Sequence, residues 1–338
     1  MEERLIDFYG KKKPVLFTHT DLDGLGCEVL FKTFIGDRVY RCEPDTVSDT
    51  ILSWMEDKKG DEWFVFITDL CPTLDVLQSL VKHGFNTNVY DHHATNKYVE
   101  DELGPNPFCY PVINPGTESR PESGTSVFLS NQSGRMMGSS NFAKNNWLYA
   151  FADTVRSYDT FEWKKTNNVD AKNLQTLLFT LGPDLFVEHY VKRYDSIDKD
   201  NQELIDPLYM EIIEAKSKSE EKAMTDFIEN GTWYNVNIRG YKGALVLDIP
   251  SCNISDLATY FLKKYTNYDI IVYLLHGNTL SYRTIRDDID LGNDICKPIG
   301  GGGHPKAAGA TLPDRTMKQI VTSIADRMNT TISAFQPQ

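Results

Sequence analysis

The chain contains the stretch Asn88-Val89-Tyr90-Asp91-His92-His93, in which a short run of β-type residues ends in a carboxylate and two adjacent imidazoles. The whole sequence has only 7 histidines, so two in a row beside an aspartate are not expected from composition alone. Imidazole and carboxylate form a borderline-to-hard donor set that suits Zn, Mn, Fe or Co. The stretch therefore predicts a strand whose end carries part of a metal site.

Two upstream segments, residues 15–21 and 64–69, repeat this arrangement of an apolar run followed by polar ligand types. The sequence around these runs has helical character at residues 24–34, 50–56 and 74–83. Strands that alternate with helices predict an α/β fold with a parallel sheet and helices on both faces. Ligands bind at the carboxyl ends of the strands in such sheets, so we expect the three polar clusters to meet at one edge.

The first cluster is the sequence His19-Thr20-Asp21-Leu22-Asp23-Gly24. Alternate side chains of an extended segment face the same way, so His19, Asp21 and Asp23 can converge on one side. Gly24 permits a sharp turn into the next helix. An equally simple interpretation is that Asp23 caps that helix and that His19 is an incidental residue at a strand end.

The pattern Asp-x-Asp-Gly also occurs in two other kinds of site. A calcium loop that begins at Asp21 requires a glutamate at its twelfth position, where this chain has Lys32, so the sequence excludes it. Aspartyl-phosphate phosphatases of the haloacid dehalogenase type place the same pattern after a strand. That interpretation leaves residues 91–93 and a later glycine run unexplained.

Two single carboxylates extend the candidate metal site. Asp69 ends the second apolar run, where an aspartate is usually a helix cap and gains significance only from its place in the series. Asp153 lies in an apolar predicted helix, where a carboxylate is costly unless it binds metal or pairs, most simply with Arg156. Three histidines and four or five carboxylates suffice for two divalent ions, the usual arrangement for hydrolysing phosphate esters.

The composition is that of an ordinary globular protein, with 41% hydrophobic and 25% charged residues among 338. This length predicts two domains. There is no signal peptide at the start and no apolar run near the ~20 residues of a membrane helix, and the 6 scattered cysteines indicate reduced thiols, so we expect a cytoplasmic protein without membrane contact. The net charge of −13 argues against binding long DNA, although bound metal ions permit a short phosphorylated ligand.

The rest of the chain predicts a second region of strands and helices. Residues 114–140 are rich in Gly, Ser and Pro and predict irregular structure, whereas residues 196–230 predict a helical connector. Strands and helices then alternate up to a glycine run, and a last helix is expected at residues 316–335. We therefore predict a first domain at residues 1–195 and a smaller α/β domain at residues 231–338.

The glycine run is Gly300-Gly301-Gly302-Gly303-His304. Consecutive glycines let backbone amides approach an anion without obstruction by side chains. Four nearby side chains add positive charge: Arg283, Arg286, His304 and Lys306. A flexible surface turn is the simpler interpretation, but the compact Ala-Ala-Gly segment that follows argues against it. The run therefore predicts a phosphate-binding site.

Residues 91–93, together with His19, Asp21, Asp23 and Asp69, resemble the motifs of the DHH phosphoesterase superfamily. The resemblance implies an N-terminal DHH metal-binding domain with a parallel sheet.

The C-terminal part resembles the DHHA1 branch of this superfamily. Residues 301–309 are similar to its substrate motif, and Ser-Tyr-Arg-Thr at residues 281–284 is similar to the strand that precedes it. The branch includes RecJ-type exonucleases, nano-RNases and cyclic-dinucleotide phosphodiesterases, and residues 18–27 look closest to the B-type nano-RNases of bacilli. A DHHA1 substrate-binding domain is thus implied, with the active site in the cleft between the domains.

The resemblance also implies individual roles. The implied metal ligands are His19, Asp21, Asp23, Asp69, His92 and Asp153. Asp69 would bridge the two ions, and His93 would contact the scissile phosphate, which makes these two the implied catalytic residues. The implied substrate-binding residues are Arg283, Gly301, Gly302, Gly303 and His304. One detail departs from the family: His19 stands two residues before Asp21 rather than four. Asp153 matches through a weak motif, and Asp159 is a neighbouring alternative.

The implied activity is that of a metal-dependent phosphodiesterase. It would hydrolyse short oligonucleotides, dinucleotides or cyclic nucleotides to nucleoside monophosphates, through a water shared by two divalent ions. Mn²⁺ is the expected ion, with Co²⁺ or Mg²⁺ as alternatives, and the protein is expected as a monomer or homodimer. A phosphatase acting on 3′-phosphoadenosine 5′-phosphate and a catalytically inactive nucleotide sensor are the alternative functions.

Overall fold

The structure, a computed structural model, describes three parts of the chain: residues 12–136, 141–275 and 278–312. The helix expected at residues 316–335 lies outside them. The chain divides into two compact units, Met1–Glu214 and Ala215–Gln338. This division falls inside the segment that the sequence predicts as a helical connector.

Five parallel strands form the sheet of the first unit: β1 (Lys13–Thr18), β2 (Val39–Arg41), β3 (Trp63–Thr68), β4 (Asn86–Asp91) and β5 (Cys109–Ile113). Their order in the sheet is β2-β1-β3-β4-β5. Thr18 lies beside Thr68, and Thr68 lies beside Tyr90, so β1, β3 and β4 end at the same edge. The parallel sheet predicted from the sequence is confirmed. A short antiparallel pair follows β5, formed by β6 (Gly116–Thr117) and β7 (Arg120–Pro121).

The helices before the division are α1 (Leu22–Phe34), α2 (Val47–Met55), α3 (Leu74–Lys82), α4 (Tyr98–Leu103), α5 (Gly124–Met136), α6 (Phe142–Asp159), α7 (Glu162–Thr166) and α8 (Val169–Ser196). The next helix, α9 (Met210–Asn230), contains the division. Val65 and Ile67 of β3 face the core that α2 and α3 complete, whereas Phe66 faces the core of α1, α5, α6 and α8. Both faces of the sheet are therefore covered, as parallel sheets require. Among the described residues no helix combines the length and the apolar character needed to cross a membrane.

Helix α5 lies in the region that the sequence predicts as irregular, so that prediction was wrong. The serines and glycines of this segment have weak helix propensity, but Phe128 packs on Tyr90 with 5.4 Å between ring centroids. Ser123 precedes the helix, and its side chain accepts a hydrogen bond from the N–H of Ser126 (3.3 Å). Tertiary packing and an N-terminal cap thus override the local propensity.

A mixed sheet forms the centre of the second unit: β8 (Tyr234–Ile238), β9 (Tyr241–Val246), β10 (Ile270–Leu274), β11 (Thr279–Arg283), β12 (Gly302–His304) and β13 (Ala307–Thr311). Its order is β12-β13-β11-β10-β9-β8, and only β9 and β10 pair in parallel. Helix α10 (Ile254–Lys264) packs on this sheet through Phe261, which shares a core with Tyr273. The predicted smaller α/β region is present.

We predict a pH-dependent contribution to stability from His189 of α8. Its ring meets Tyr190 and Tyr209 edge-on at 5.0 and 4.9 Å, and burial lowers its pKa. Folding favours the neutral imidazole of His189. Its contribution to the free energy of unfolding is therefore fully present above about pH 6.5, the pKa of histidine in the unfolded chain, and is lost as the pH falls through the lower pKa of the folded protein. His189→Phe keeps an aromatic ring and should flatten the decline in unfolding free energy from pH 7.5 to 5.

Urea unfolding at a series of pH values measures this effect. His83→Phe is the control, because His83 is an exposed residue at the end of α3. Equal pH dependence in wild type and His189→Phe would contradict the prediction.

Candidate active site

Asp69 lies at the centre of the polar cluster beyond the carboxyl ends of the strands. It follows β3 directly and has a φ of 57°, a conformation that non-glycine residues rarely adopt. Its N–H donates to the carbonyl of Tyr90 at 2.9 Å, which fixes the turn. Such strain persists only where the surroundings impose it, and it turns this carboxylate into the interior, where it is 2% exposed.

Three side chains approach one another around Asp69. The Nε2 atom of His92 lies 3.2 Å from Asp69 Oδ1 and 3.7 Å from Asp23 Oδ2. It also lies 3.7 Å from Asp159 Oδ2. Carboxylates from α1, β3 and α6 therefore meet a single imidazole from the loop after β4.

The other side of Asp69 faces His19 and Asp21. His19 Nδ1 lies 3.0 Å from Asp21 Oδ2 and 3.7 Å from Asp69 Oδ2. Asp21 is also the cap of α1, because its Oδ1 accepts a hydrogen bond from the N–H of Gly24 at 3.0 Å. The capping interpretation thus holds for Asp21 rather than for Asp23. Glu43, which the sequence did not single out, lies 3.3 Å from His19 Nε2.

Asp23 is held by the N-terminus of α5. Its two carboxylate oxygens accept hydrogen bonds from the N–H groups of Gly124 (2.5 Å) and Thr125 (2.8 Å). The Thr125 hydroxyl donates to the Asp23 carbonyl at 2.7 Å. A Cβ on Gly124 would lie 2.5 Å from the Asp69 Cβ, so only glycine fits there. Sequence reasoning missed this support, although Ser123-Gly124-Thr125 is a helix-start pattern.

Asp91 orients the two adjacent histidines through hydrogen bonds. Its Oδ1 accepts hydrogen bonds from His93 Nδ1 (2.7 Å) and from the His92 N–H (2.8 Å). Asn96 donates to Oδ2 at 2.7 Å. The rings of His92 and His93 lie 4.2 Å apart, so fixing one limits the other. The adjacent histidines thus occupy two different environments.

The carboxylates of the cluster differ in their electrostatics. Burial raises the pKa of Asp69, but the neighbouring imidazoles of His19 and His92 reverse this and hold it well below its usual value. Burial, with the charges of Asp69 and Asp159 nearby, raises the pKa of Asp23 well above its usual range. Burial likewise raises the pKa of Asp159 to about 6. The cluster therefore holds more carboxylates than its imidazoles neutralise.

Neighbouring carboxylates raise the pKa values of the imidazoles. Burial alone would lower the pKa of His19, but Asp21 and Asp69 raise it to about 12. Burial would also lower the pKa of His93, and its hydrogen bond to Asp91 raises it instead. The protonated form of each of these two histidines is thus stabilised by the carboxylates that it contacts.

The arrangement fits divalent metal ions. Oδ2 of Asp69 and Oδ2 of Asp159 are buried and have no hydrogen-bond partner among the described residues. Leaving such oxygens unsatisfied is costly unless a ligand binds them. Ligand atoms lie within 4.8 Å of one another in three overlapping groups: Asp69 with Asp91, His92 and His93; His19 with Asp21 and Asp69; and Asp23 with His92 and Asp159. Oxygen and imidazole donors of this kind suit Mn²⁺ or Mg²⁺.

The prediction of Asp153 as a metal ligand needs correction. Its carboxylate is about half exposed and lies 2.9 Å from Arg156 and 3.2 Å from Arg120. Asp159, at the end of the same helix, reaches the cluster instead. Arg156 is buried and also contacts Glu162 (2.5 Å), so pairing accounts for Asp153 fully.

Arg283 in the second unit is fixed by three hydrogen bonds. It donates to the Ser255 hydroxyl (3.0 Å), the Ser281 hydroxyl (2.8 Å) and the Tyr282 carbonyl (2.8 Å). The guanidinium is half-buried at the end of β11.

The glycine run forms the edge strand β12 rather than an open loop. Gly301 and Gly303 are required by close packing, because a Cβ would lie 2.1 Å from the Gly309 carbonyl and 2.7 Å from the Ala307 carbonyl respectively. Gly302 has open space around it. Of the three glycines implied as substrate-binding residues, Gly302 alone therefore matches the expectation of unobstructed approach by a ligand, and the exposed His304 follows two residues later.

The chain is 28% identical over 321 residues to "Oligoribonuclease NrnB" of Bacillus subtilis, covering 90% of this chain and 74% of that protein. No family model matches the sequence.

Three solved structures share the fold. The pGpG-specific phosphodiesterase PggH of Vibrio cholerae is 18% identical with a TM-score of 0.52, and 94% of this chain and 99% of that chain are covered. The DHH domain of a member of the s1p family of ribosomal proteins is 16% identical with a TM-score of 0.58, covering 96% and 88%. RecJ of Thermus thermophilus in complex with Mn²⁺ is 14% identical with a TM-score of 0.54, covering 99% and 54%.

The fold and this site define a phosphoric ester hydrolase of the DHH type. The carboxylate–imidazole cluster lies at the carboxyl ends of β1, β3 and β4, as expected for a parallel sheet. The chain is similar over most of its length to proteins of the DHH/DHHA1 phosphoesterase family.

We predict that Asp159→Asn and Asp153→Asn differ in metal binding. Asp159→Asn removes a charge from the cluster and should reduce the Mn²⁺ retained after dialysis, as measured by elemental analysis. Asp153→Asn, six residues earlier on α6, can still hydrogen-bond to Arg156 and should retain as much as wild type. Equal retention in both variants would refute the assignment of Asp159.

A second prediction concerns Gly124. Gly124→Ala should displace Asp69 or Asp23 and lower both Mn²⁺ retention and stability, the latter by about 1–3 kcal/mol for an overpacked site. Gly134→Ala is a matched control in the same helix, with nothing within 4 Å of its added Cβ. It should be neutral or stabilising in chemical denaturation, since alanine favours the helix. Similar losses in both variants would refute a specific role for Gly124.

Proposed function

We propose that this enzyme is a metal-dependent phosphodiesterase that hydrolyses short oligonucleotides, dinucleotides or cyclic nucleotides to nucleoside monophosphates. The observation that carries the proposal is the buried cluster around Asp69, with two carboxylate oxygens that have no hydrogen-bond partner among the described residues. The relative named an oligoribonuclease and the structural neighbour named a pGpG-specific phosphodiesterase support this class of substrate.

The proposed ligands of two divalent ions are His19, Asp21, Asp23, Asp69, His92 and Asp159. Asp69 stands between the His19 side and the His92 side of the cluster, which suits a carboxylate shared by both ions. The ions, most suitably Mn²⁺, would lower the pKa of a water molecule and neutralise charge on the phosphate. The chain itself positions these groups through the strained turn at Asp69 and the N-terminus of α5.

His93 is the proposed contact to the scissile phosphate. Its hydrogen bond to Asp91 raises its pKa and favours the protonated ring, which can donate from its other nitrogen. A protonated imidazole beside the cluster suits the stabilisation of negative charge that develops on a phosphate oxygen. Asp91 then acts by positioning His93.

Residues of the second unit are the proposed contacts to the terminal phosphate or base of the substrate. The guanidinium of Arg283 is preorganised for such a contact, because two serine hydroxyls fix it. Gly302 leaves room for a ligand beside the backbone, and His304 is exposed next to it. A cytoplasmic location is proposed as well, since all 6 cysteines are free thiols.

Hydrolysis of a 5′-labelled dinucleotide in the presence of Mn²⁺ tests the proposal. Wild type should release nucleoside monophosphate, and chelation should abolish the release. Asp69→Asn should reduce the rate to that of the chelated enzyme, because asparagine tolerates the positive φ but removes the charge. Asp153→Asn is the matched control and should remain active.

Other outcomes of these assays would indicate other functions. Release of inorganic phosphate from 3′-phosphoadenosine 5′-phosphate, without dinucleotide cleavage, would identify a phosphatase. Nucleotide binding without any hydrolysis by the Mn²⁺-loaded protein would identify a sensor. Asp69→Asn with wild-type activity would refute the proposed centre.

A further inference from the structure

Four basic side chains gather around Trp63 at the edge of the first sheet that lies opposite the metal-binding cluster. Lys13 and Trp63 begin β1 and β3 and lie side by side in register. Lys13 Nζ and the Arg38 guanidinium carbon are 5.5 and 4.9 Å from the centroid of the Trp63 ring. Lys58 and Lys59 follow α2 and complete the set.

These side chains line a cavity of about 440 Å³, which we name the basic cavity. Asp57 and Glu62 also line it. A second cavity of about 570 Å³, the neighbouring cavity, shares Asp57 and Lys58 with it. Both are open clefts at the surface, and the two shared residues make them adjacent.

The charges of the basic cavity favour an anion. Lys13 pairs with Glu62 at 3.6 Å, and Lys58 pairs with Asp57. Arg38 and Lys59 are exposed, and no carboxylate pairs with either of them among the described residues. Two uncompensated cations in one cavity are notable on a chain with a net charge of −13. They create a local positive field that a phosphate group would neutralise.

The position of Arg38 is restricted by its surroundings. Its carbonyl accepts a hydrogen bond from the N–H of Leu16 at 3.0 Å, which ties its backbone to β1. The Trp63 ring beneath its guanidinium is 5% exposed and packs edge-on against Trp54 at 5.4 Å. A guanidinium held over an immobile ring offers a planar pair of donors that matches a phosphate.

The neighbouring cavity has different chemistry. It is lined by two aromatic rings, two hydroxyls and carboxylates: Tyr40, Trp54, Thr50, Ser53, Asp49 and Asp57. Tyr40 stacks on Phe17 at 5.1 Å, so its ring is held in place. Hydroxyl and carboxylate oxygens accept hydrogen bonds from ribose hydroxyls and from amino groups of bases.

We propose that the two cavities form a second nucleotide site, in which the basic cavity binds the phosphate and the neighbouring cavity binds the nucleoside. β1 spans the distance from Lys13 to Thr18, which is about 16 Å at ~3.3 Å per residue. A nucleotide in this site is therefore separate from a substrate at the metal-binding cluster. The site is independent of the proposed hydrolytic activity.

Calorimetric titration of the Mn²⁺-loaded full chain with AMP tests this site. The double variant Arg38→Glu/Lys59→Glu should lose one binding component, or bind it at least tenfold more weakly, with an unchanged melting temperature. Lys222→Glu/Lys263→Glu is the matched control, because it makes the same charge change at exposed lysines of α9 and α10. This control should retain the component, and so should Asp69→Asn.

Titrations with adenosine and with pyrophosphate complete the test. Adenosine should not bind at this site, and pyrophosphate should bind more weakly than AMP, because each fills only one cavity. Unchanged AMP binding in Arg38→Glu/Lys59→Glu, or equal weakening in both double variants, would overturn the site. Pyrophosphate binding as tightly as AMP would overturn the assignment of a nucleotide.

Discussion

The structure of the first unit depends on the burial of several carboxylates at one edge of its sheet. Asp69 is the constraint that organises the others, because its backbone has a positive φ and its carboxylate points into the interior. His19 on one side and His92 on the other hold its pKa low. The pKa values of the neighbouring carboxyl groups of Asp23 and Asp159 are raised, because burial and neighbouring negative charges disfavour their ionised forms. Bound cations would stabilise those ionised forms, which makes the site suitable for divalent metal ions.

Neighbouring elements of the fold hold these carboxylates in place. The N-terminus of α5 gives two N–H groups to Asp23, and its positive dipole end favours a buried carboxylate. Gly124 permits that approach because its missing Cβ leaves room for Asp69. The helix can lie this close because Phe128 packs on Tyr90, one residue before Asp91. Core packing and site geometry are therefore determined by the same contacts.

Much of the fold and part of the site could be predicted from local patterns. The strands around residues 15–18, 64–68 and 88–91 are short apolar runs that end in polar residues, and parallel order follows from the helices between them. This is enough to bring Asp69 and His92 together, because all the strands end at one edge. The order of the strands in the sheet also places β3 at its centre.

The remaining parts depend on contacts that no local pattern contains. Helix α5 consists of residues with weak propensity and exists through packing on the sheet. Asp153 and Asp159 lie on the same helix. The sequence around them does not show that Arg120, from the distant strand β7, contacts Asp153. Glu43 reaches His19 across the loop after β2, which is likewise a tertiary contact. Sequence reasoning thus missed Glu43 and preferred Asp153 to Asp159, because the deciding contacts come from residues that lie on other elements.

The two edges of the first sheet carry opposite electrostatic character, and each is explained by its own residues. At the carboxyl ends, carboxylates outnumber imidazoles and the field is negative until cations bind. At the amino ends, Arg38 and Lys59 have no carboxylate partner among the described residues, and the field is positive. Screening limits interactions between charges more than about 8 Å apart in physiological salt, so six-residue strands such as β1 are long enough to keep the edges electrostatically separate. An anion drawn to the basic edge therefore leaves the electrostatics of the metal-binding edge nearly unchanged, and any influence between the two must pass through the packed strands themselves.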